Sequence, residues 1–340
     1  MGIERVEIED PAWNQFVSQQ DQATIFHSPA WCRVLMRTYA HPCFALVCVD
    51  PQGKIAAGVP FAQLRGSGRA ERWVSLPFSD HCAPLALNAE AEIMLMRYLT
   101  EVSEQGKIQM EMHWRYPESA HLILKAEYVL HCLPLTDDFN VTQNRIHSMH
   151  QRNARTAEKR GVRVVLSCEP ESLEAFYQLH TRTRRRQGRP VQPIKFFRQL
   201  DENLLKPGFG FVMLAYCDAA CIAGAFFLHW NHTLTYKFGA SDREGQNLRP
   251  NDLIFWEAIR WGCEHGFTRL DFGRTDLENL GLREYKARWG AVETDLYTAY
   301  APCVPSHRPE WVMNAMTKTI QHSPLWVCRT LGELFYRYAV

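Results

Sequence analysis

Lys286 stands in the run Tyr285-Lys286-Ala-Arg-Trp289, an ammonium flanked by aromatic side chains after the loop 275–280. A cation so placed can stabilise the oxyanion that develops on a reacting ester, or hold a substrate diphosphate. A surface lysine paired with Glu284 or Glu293 is the plainer alternative. Asp271 and Arg274 follow the end of an apolar run, and strand ends are where α/β sheets carry their chemistry. They act on a substrate there, or form an ion pair that holds the loop. Asp80 is a further candidate, as a general base.

Residues 145–189 concentrate charge: eleven Arg and Lys against four Glu, a local +7 in a chain of net +1. Such a patch attracts phosphates, whether of tRNA, a nucleotide sugar or an anionic lipid headgroup. Arg outnumbers Lys ten to one, which suits bidentate phosphate binding. Arg182, Arg185 and Arg186 are the expected phosphate contacts; a solvated helix face is the alternative. The 14 His include no i, i+4 pair followed by an acid, and the 11 Cys lack the paired spacing of a zinc site, so no metal is expected. Free thiols suit a reducing compartment. The acidic start Met1–Trp13 is unlike a secretory signal, and no apolar run reaches membrane-span length. The expected location is the cytoplasm, with the inner face of the membrane as its boundary.

Those side chains need elements to hold them. At 340 residues, 46% hydrophobic and 22% charged, the chain is an ordinary globular protein with room for two domains. Two patterns recur. Asp50–Phe61 parallels Asp218–Phe227, which matches Ile55 to Ile222. Glu104-Gln-Gly106-Lys-Ile-Gln-Met110-Glu111-Met112 parallels Glu264-His-Gly266-Phe-Thr-Arg-Leu270-Asp271-Phe272. Each instance of the latter ends a helix at a glycine, where left-handed backbone costs least, and then opens a strand. The offsets, 167 and 160 residues, differ by one loop. Residues 44–112 should therefore superpose on 211–272. Within the second copy, periodicity predicts helices at 171–186 and 194–205, strands at 211–217, 222–230 and 233–240, a helix capped by Asn251 running to Glu264, and strands at 268–272 and 292–300. The fold class is α/β with mixed sheets. The organisation is a first domain over 1–142, a basic linker helix over 143–161, a second domain over 162–301 and a helical tail over 302–340. The tail, broken at Ser323-Pro324, is an amphipathic membrane-surface segment or a pair of helices docked on the core.

Tyr236-Lys-Phe-Gly-Ala-Ser241, Leu248-Arg-Pro-Asn251, Leu270-Asp-Phe-Gly-Arg274 and Gly281–Ala291 resemble the FemAB-like branch of the GNAT acyltransferase superfamily. So do His27-Ser-Pro-Ala-Trp31 and Ser75-Leu-Pro-Phe-Ser-Asp80 in the first copy. Together they span about residues 27 to 300, and FemAB-related proteins of exopolysaccharide and envelope contexts are the nearest in character. The resemblance implies tandem duplicated GNAT-like domains and transfer of an acyl or aminoacyl group to an amine. It places Lys286, with Tyr285, at the acceptor site, and makes Tyr236, Asn251 and Trp289 substrate contacts. Ordinary GNAT enzymes cradle CoA pyrophosphate in a Gly-rich loop at a helix start. Arg65-Gly-Ser-Gly68-Arg-Ala70 has the letters but lies between strands. Leu248-Arg-Pro-Asn251 lacks glycine and has a proline in place of a donor.

The expected activity is N-acyltransfer from acyl-CoA or aminoacyl-tRNA, neither tightly bound, to an amine of a small-molecule, glycan-linked or cell-envelope acceptor. The rivals are a catalytically inactive module that binds a phosphorylated glycan or nucleotide, and an RNA-binding protein. Partners beyond the acceptor are tRNA and, through the tail, a membrane surface; sequence leaves the oligomeric state open.

Overall fold

The computed structural model describes residues 1–65, 71–117, 122–305 and 310–336. The chain divides into two units. Unit 1 comprises Met1–Leu130, Arg274–Glu278 and Thr294–Ser306; unit 2 comprises His131–Gly273, Asn279–Glu293 and His307–Val340.

Up to the first crossing the chain runs β1 (Gly2–Glu7), α1 (Pro11–Ser18), α2 (Pro29–Tyr39), β2 (Cys43–Val49), β3 (Ile55–Arg65), β4 (Glu71–Val74), β5 (Leu85–Ala86), α3 (Ala89–Glu104), β6 (Ile108–Met112) and β7 (Ile123–Pro134). It continues as α4 (Phe139–Gln143), α5 (Ser148–Lys159), β8 (Val162–Ser167), α6 (Pro170–Arg186), α7 (Ile194–Leu200), β9 (Gly210–Cys217), β10 (Ala220–Trp230) and β11 (Thr233–Ser241). The last part is α8 (Pro250–Glu264), β12 (Arg269–Asp276), α9 (Leu280–Arg288), β13 (Val292–Ala301), α10 (Glu310–His322) and α11 (Leu325–Phe335). A π-turn over Asp201–Leu205 extends α7 to the end expected for that helix.

Each unit repeats one plan. In unit 1 the strands lie in the order β1-β2-β3-β4-β6, antiparallel until β4 and β6, which are parallel. In unit 2 the order is β8-β9-β10-β11-β12, again antiparallel until the parallel pair β11 and β12. The fold is thus mixed α/β and duplicated. Two glycines show what holds the repeat together. A Cβ on Gly58 of β3 would lie 2.6 Å from the Trp13 ring on α1, and one on Gly224 of β10 would lie 3.0 Å from the Phe176 ring on α6. In both copies a bare strand position admits an aromatic from the first helix of that copy, and close packing leaves no room there for a side chain.

The register corrects one expected equivalence. Gly58 opposes Val47 and Gly224 opposes Leu214, but a bulge interrupts each hairpin just before. Counting back from the glycines, Ile55 corresponds to Cys221, and Ile222 is itself the bulged residue. The matched isoleucines are one position out of step. The strand that closes the second copy also ends in unit 1, where Ala299, Tyr300 and Ala301 pair with Met112, Glu111 and Met110.

Apolar burial forms two cores. Phe44, Phe61, Trp73, Leu95, Leu99 and Trp114 centre one core; Phe211, Phe227, Ile254, Phe255, Phe272 and Trp289 centre the other. The broad apolar surface of α8 is buried as its composition requires. Its start differs from expectation: Arg249 precedes it in the left-handed conformation without a side-chain cap, Pro250 is the first helical residue, and Asn251 lies inside the first turn. The His27-Ser-Pro-Ala-Trp31 motif is a helix start as well, with Ser28 Oγ accepting from the Trp31 amide at 3.2 Å. The tail is a helical pair broken at Ser323-Pro324 and packed on α6.

Candidate functional site

In unit 2, β11 and β12 pair over Thr233–Thr235 and Arg269–Asp271 and then part. A bulge at Lys237, between the Phe226–Phe238 and Phe227–Tyr236 pairs, bends β11 where they diverge. Beside that bulge, residues of β11, α6, α8 and α9 line a cleft of about 290 Å³. Arg186, Tyr236, Gly239, Ser241, Asn251 and Tyr285 are among its lining residues.

Each lining side chain is held from behind. The Tyr236 hydroxyl lies over Gly239, where any Cβ would come within 1.9 Å of it. Its ring is an edge-on neighbour of Phe255, 4.9 Å between centroids, and burial pushes the phenol up to about 12. Arg186 donates from Nη1 to the Ser241 carbonyl at 3.0 Å, and Thr183 Oγ1 donates to the same oxygen. Asn251 brings the N-terminal turn of α8 to the cleft. The acid in that turn, Asp252, bonds His150 Nδ1 at 2.5 Å on α5. Asn153 of α5 also donates to Asp252, at 3.4 Å. With its carboxylate engaged there, the helix N-terminus and Arg186 favour an anion in the cleft.

Tyr285, Lys286 and Trp289 come from α9, which Asn279 caps. Tyr285 meets the edge of the His150 ring, and burial, followed by the Asp252 charge, raises its phenol. Trp289 stacks on the other side of His150 at 4.2 Å and is fully buried. That differs from its expected place as a substrate contact: the Trp289 side chain belongs to the core and is not among the residues lining the cleft. Lys286 is only 5% exposed and donates from Nζ to the Gly273 carbonyl at 2.9 Å. The surface pairings drawn for it belong to arginines, Glu284 to Arg288 and Glu293 to Arg283. The same strand end holds Asp271, 2% exposed, which accepts from the Gly273 amide at 2.7 Å. Gly273 has φ +71°, which lets it turn its N–H to Asp271 and its carbonyl to Lys286. His131, fully buried on β7, lies 3.1 Å from Glu293. Burial lowers the His131 pKa, and the Lys286 charge lowers it further.

Asp80 and Arg274 are in unit 1. Arg274 Nε is 3.6 Å from Asp80 and its guanidinium lies 4.4 Å from the Tyr128 ring centroid. Asp80 ends the loop Ser75–Asp80, in which Leu76 and Phe78 both have positive φ. His113 pins that loop: its amide donates to Ser75 Oγ at 2.7 Å and its ring faces Ser79 Oγ at 3.5 Å. Glu111 holds the other ring nitrogen at 2.9 Å and pairs with Arg72. Burial alone would raise the Glu111 pKa, but His113 and Arg72 outweigh it and bring it to about 2.

The expected constellation is therefore divided. Tyr236, Asn251, Tyr285 and Arg186 share the cleft; Lys286 and Asp271 share the end of β12; Asp80 and Arg274 share unit 1. Of the arginine cluster, Arg182 is exposed and pairs with Asp242 at 3.2 Å. Arg184 bonds the Tyr336 hydroxyl and the Pro190 carbonyl. Arg185 buries a guanidinium nitrogen without a partner. Arg65–Ala70, the loop with pyrophosphate-binding letters, falls largely outside the described residues, and its side chains do so entirely. Sequence reasoning missed His150, Asp252, His131 and His113; only the spacing His150, Ala154, Ala157 on one face of α5 marked any of them as inward-facing.

All 11 cysteines are free thiols. Among the described residues no three His, Cys, Asp or Glu side chains converge as a metal site, and no helix is long and apolar enough to cross a membrane.

Residues 144–287 match the acetyltransferase (GNAT) domain family. This segment resembles a GNAT domain. Over 75 residues the chain is 32% identical to lipid II:glycine glycyltransferases of Staphylococcus epidermidis and Staphylococcus aureus. That match covers 20% of the chain and only 18% of those relatives' length. The fold recurs in the crystal structure of FemX, with TM-score 0.68, 17% identity and coverage of 88% of this chain and 97% of that one. It recurs also in the C-terminal domain of a putative lysylphosphatidylglycerol synthetase from Agrobacterium fabrum, with TM-score 0.56, 12% identity and coverage of 91% and 94%. The FemAB-like resemblance of the sequence is borne out.

Proposed function

We propose that this GNAT-domain protein moves an acyl or aminoacyl group from an activated donor to an amine on a cell-envelope or polysaccharide acceptor. The observation that carries the reading is the cleft beside the bulged end of β11, with Tyr236, Tyr285, Arg186 and the first turn of α8 in its wall. Aminoacyl-tRNA carries its acyl group on a phosphate-linked terminal adenosine, and acyl-CoA carries its phosphates at the far end of the pantetheine arm from the thioester. Arg186 and the α8 N-terminus suit those phosphates. Pro250 removes one of the amides that a CoA pyrophosphate uses, which favours the tRNA ester. The named activity of the lipid II:glycine glycyltransferases points the same way.

Transfer of this kind needs no covalent enzyme intermediate. The acceptor amine attacks the acyl carbonyl, a tetrahedral oxyanion forms, and the donor's alcohol or thiol leaves as the amine loses a proton. Aligning the two reactants supplies much of the acceleration. Lys286, fixed on the Gly273 carbonyl at the end of β12, supplies positive charge for the oxyanion. Asp271 holds the same turn. The reaction belongs in the cytoplasm, where activated donors are made, at the inner face of the membrane.

Native mass spectrometry of the purified protein against aminoacyl-tRNA, acyl-CoAs and nucleotide sugars tests the reading. Saturable binding of an activated acyl donor, weakened by Arg186→Gln, supports it. Binding of nucleotide sugars alone would leave a binding module in its place.

A further inference from the structure

The tail helices use one side of their surface and leave the other with an unusual composition. Their inner side is fitted closely to α6 and the loop after it. A Cβ on Gly332 of α11 would come within 1.7 Å of the Val191 carbonyl, and one on Gly188 within 2.4 Å of Thr317 on α10. Ile320, Cys328 and Tyr336 are buried there, and Tyr336 accepts from Arg184 at 2.7 Å. The outer side exposes Trp311 by 73%, Trp326 by 66%, Leu334 by 60% and Met313 by 41%. Trp is a costly side chain to leave in water, and neither of these makes a contact that helps the fold.

Charge identifies the partner. Lys318, two turns after Trp311, is exposed; Arg329, one turn after Trp326, is exposed too but reaches back over the Tyr177 ring of α6, its guanidinium 5.6 Å from the ring centroid. Exposed Arg189 belongs to the loop on which α11 rests, its carbonyl 3.4 Å from Cys328 Sγ. Glu333 is the one exposed acid described on the outer side of α11. Bulky indoles alternating with cations suit a headgroup layer, where the ring sits among the glycerol esters and the cation meets phosphate. A protein-docking face would gather its apolar side chains into one patch; here a cation follows each tryptophan on its own helix.

We propose that the outer side of α10 and α11 seats this protein on an anionic lipid surface, through Trp311 and Trp326 with Lys318 and Arg189. The helices lie in the interface and do not cross it. Both halves of the sequence expectation for the tail then hold together, because docking on the core fixes which faces are offered to the lipid.

The test does not depend on acyl transfer. The full-length protein is sedimented with vesicles of phosphatidylcholine alone and of phosphatidylcholine with phosphatidylglycerol. Binding should be confined largely to the anionic vesicles and fall as salt rises, because exposed cations are screened. Trp311→Ala with Trp326→Ala should weaken it about tenfold or more while the melting temperature stays at the parental value. Lys318→Gln with Arg189→Gln should reduce the preference for phosphatidylglycerol. Failure of the parent to bind either vesicle overturns the proposal, and so does equal binding by the double tryptophan variant. A parent that is dimeric in solution and becomes monomeric in that variant overturns it too, and assigns the face to a second copy of the chain.

Discussion

Glu111 and Asp271 hold the same place in the two repeats: Glu111 is in register with Val74 on parallel β4, and Asp271 with Thr235 on parallel β11. From that shared position the copies differ. After Val74 the chain folds back, and Ser75 and Ser79 fasten it to His113. After Thr235 the chain runs on past Tyr236 and leaves a cleft. One ancestral plan thus yields an open site in the second copy and a pinned loop in the first, with Glu111 spent on holding the pin.

Glu111 should make stability fall in acid. Its folded pKa of about 2 lies below the ordinary value of 4.5, so the stabilising effect is complete above 4.5 and is lost as pH drops towards about 2. The linkage is on the order of 3 kcal/mol at neutral pH. Urea denaturation of Glu111→Gln should show lower stability at pH 7 and a flatter decline through that window. Parallel curves for parent and variant would mean that His113 and Arg72 do not depress the carboxyl.

Gly58→Ala and Gly224→Ala test the repeat from its packing. Each new methyl meets an aromatic from the first helix of its copy, Trp13 of α1 at 2.6 Å or Phe176 of α6 at 3.0 Å. Overpacking of this kind costs about 1–3 kcal/mol. Both variants should unfold at lower urea. A variant as stable as its parent would show that its helix does not approach the strand this closely.

The duplication was legible because glycine at a helix end and glycine beneath an aromatic are local requirements that letters can carry. The equivalence of Ile55 with Ile222 failed for the opposite reason: a bulge displaces one residue without changing its type, and only the hydrogen-bond ladder records it. Of the cleft residues, Tyr236 and Tyr285 could be named from the motifs and Arg186 from the charge cluster. Their supports could not, since His150 meets Asp252 across 102 positions of sequence. Trp289 was misplaced because an aromatic beside a candidate lysine reads alike whether it faces a ligand or the core.

Arg184 and Arg186 should separate structure from binding within one cluster. Arg184→Gln removes hydrogen bonds to Tyr336 and Pro190, and should lower the melting temperature with little effect on ligand affinity. Arg186→Gln should weaken a phosphate-bearing donor, more at low than at high ionic strength, because salt already screens much of its attraction. Arg182→Gln, which breaks an exposed pair with Asp242, should change neither greatly. Donor titrations at two salt concentrations check all three. Equal loss of affinity for Arg182→Gln and Arg186→Gln would mean that the cleft is not where phosphate binds.

Lys286 gives the sharpest division between enzyme and binding module. Its ammonium is buried on the Gly273 carbonyl, so it is no solvated surface charge. Lys286→Met preserves the length of the side chain and removes the charge. The Gly273 carbonyl loses its donor, which costs about 1–3 kcal/mol of stability and leaves the protein folded. If the charge also serves the oxyanion, turnover falls by roughly a hundredfold or more, equivalent to about 3–4 kcal/mol of barrier. Donor affinity, set by Arg186 and the α8 N-terminus, should stay near the parental value. The effect therefore belongs in kcat. A variant that is merely less stable, and that acylates at the parental rate below its melting temperature, would make Lys286 a brace for the Gly273 turn and move the oxyanion's stabilisation elsewhere in the cleft.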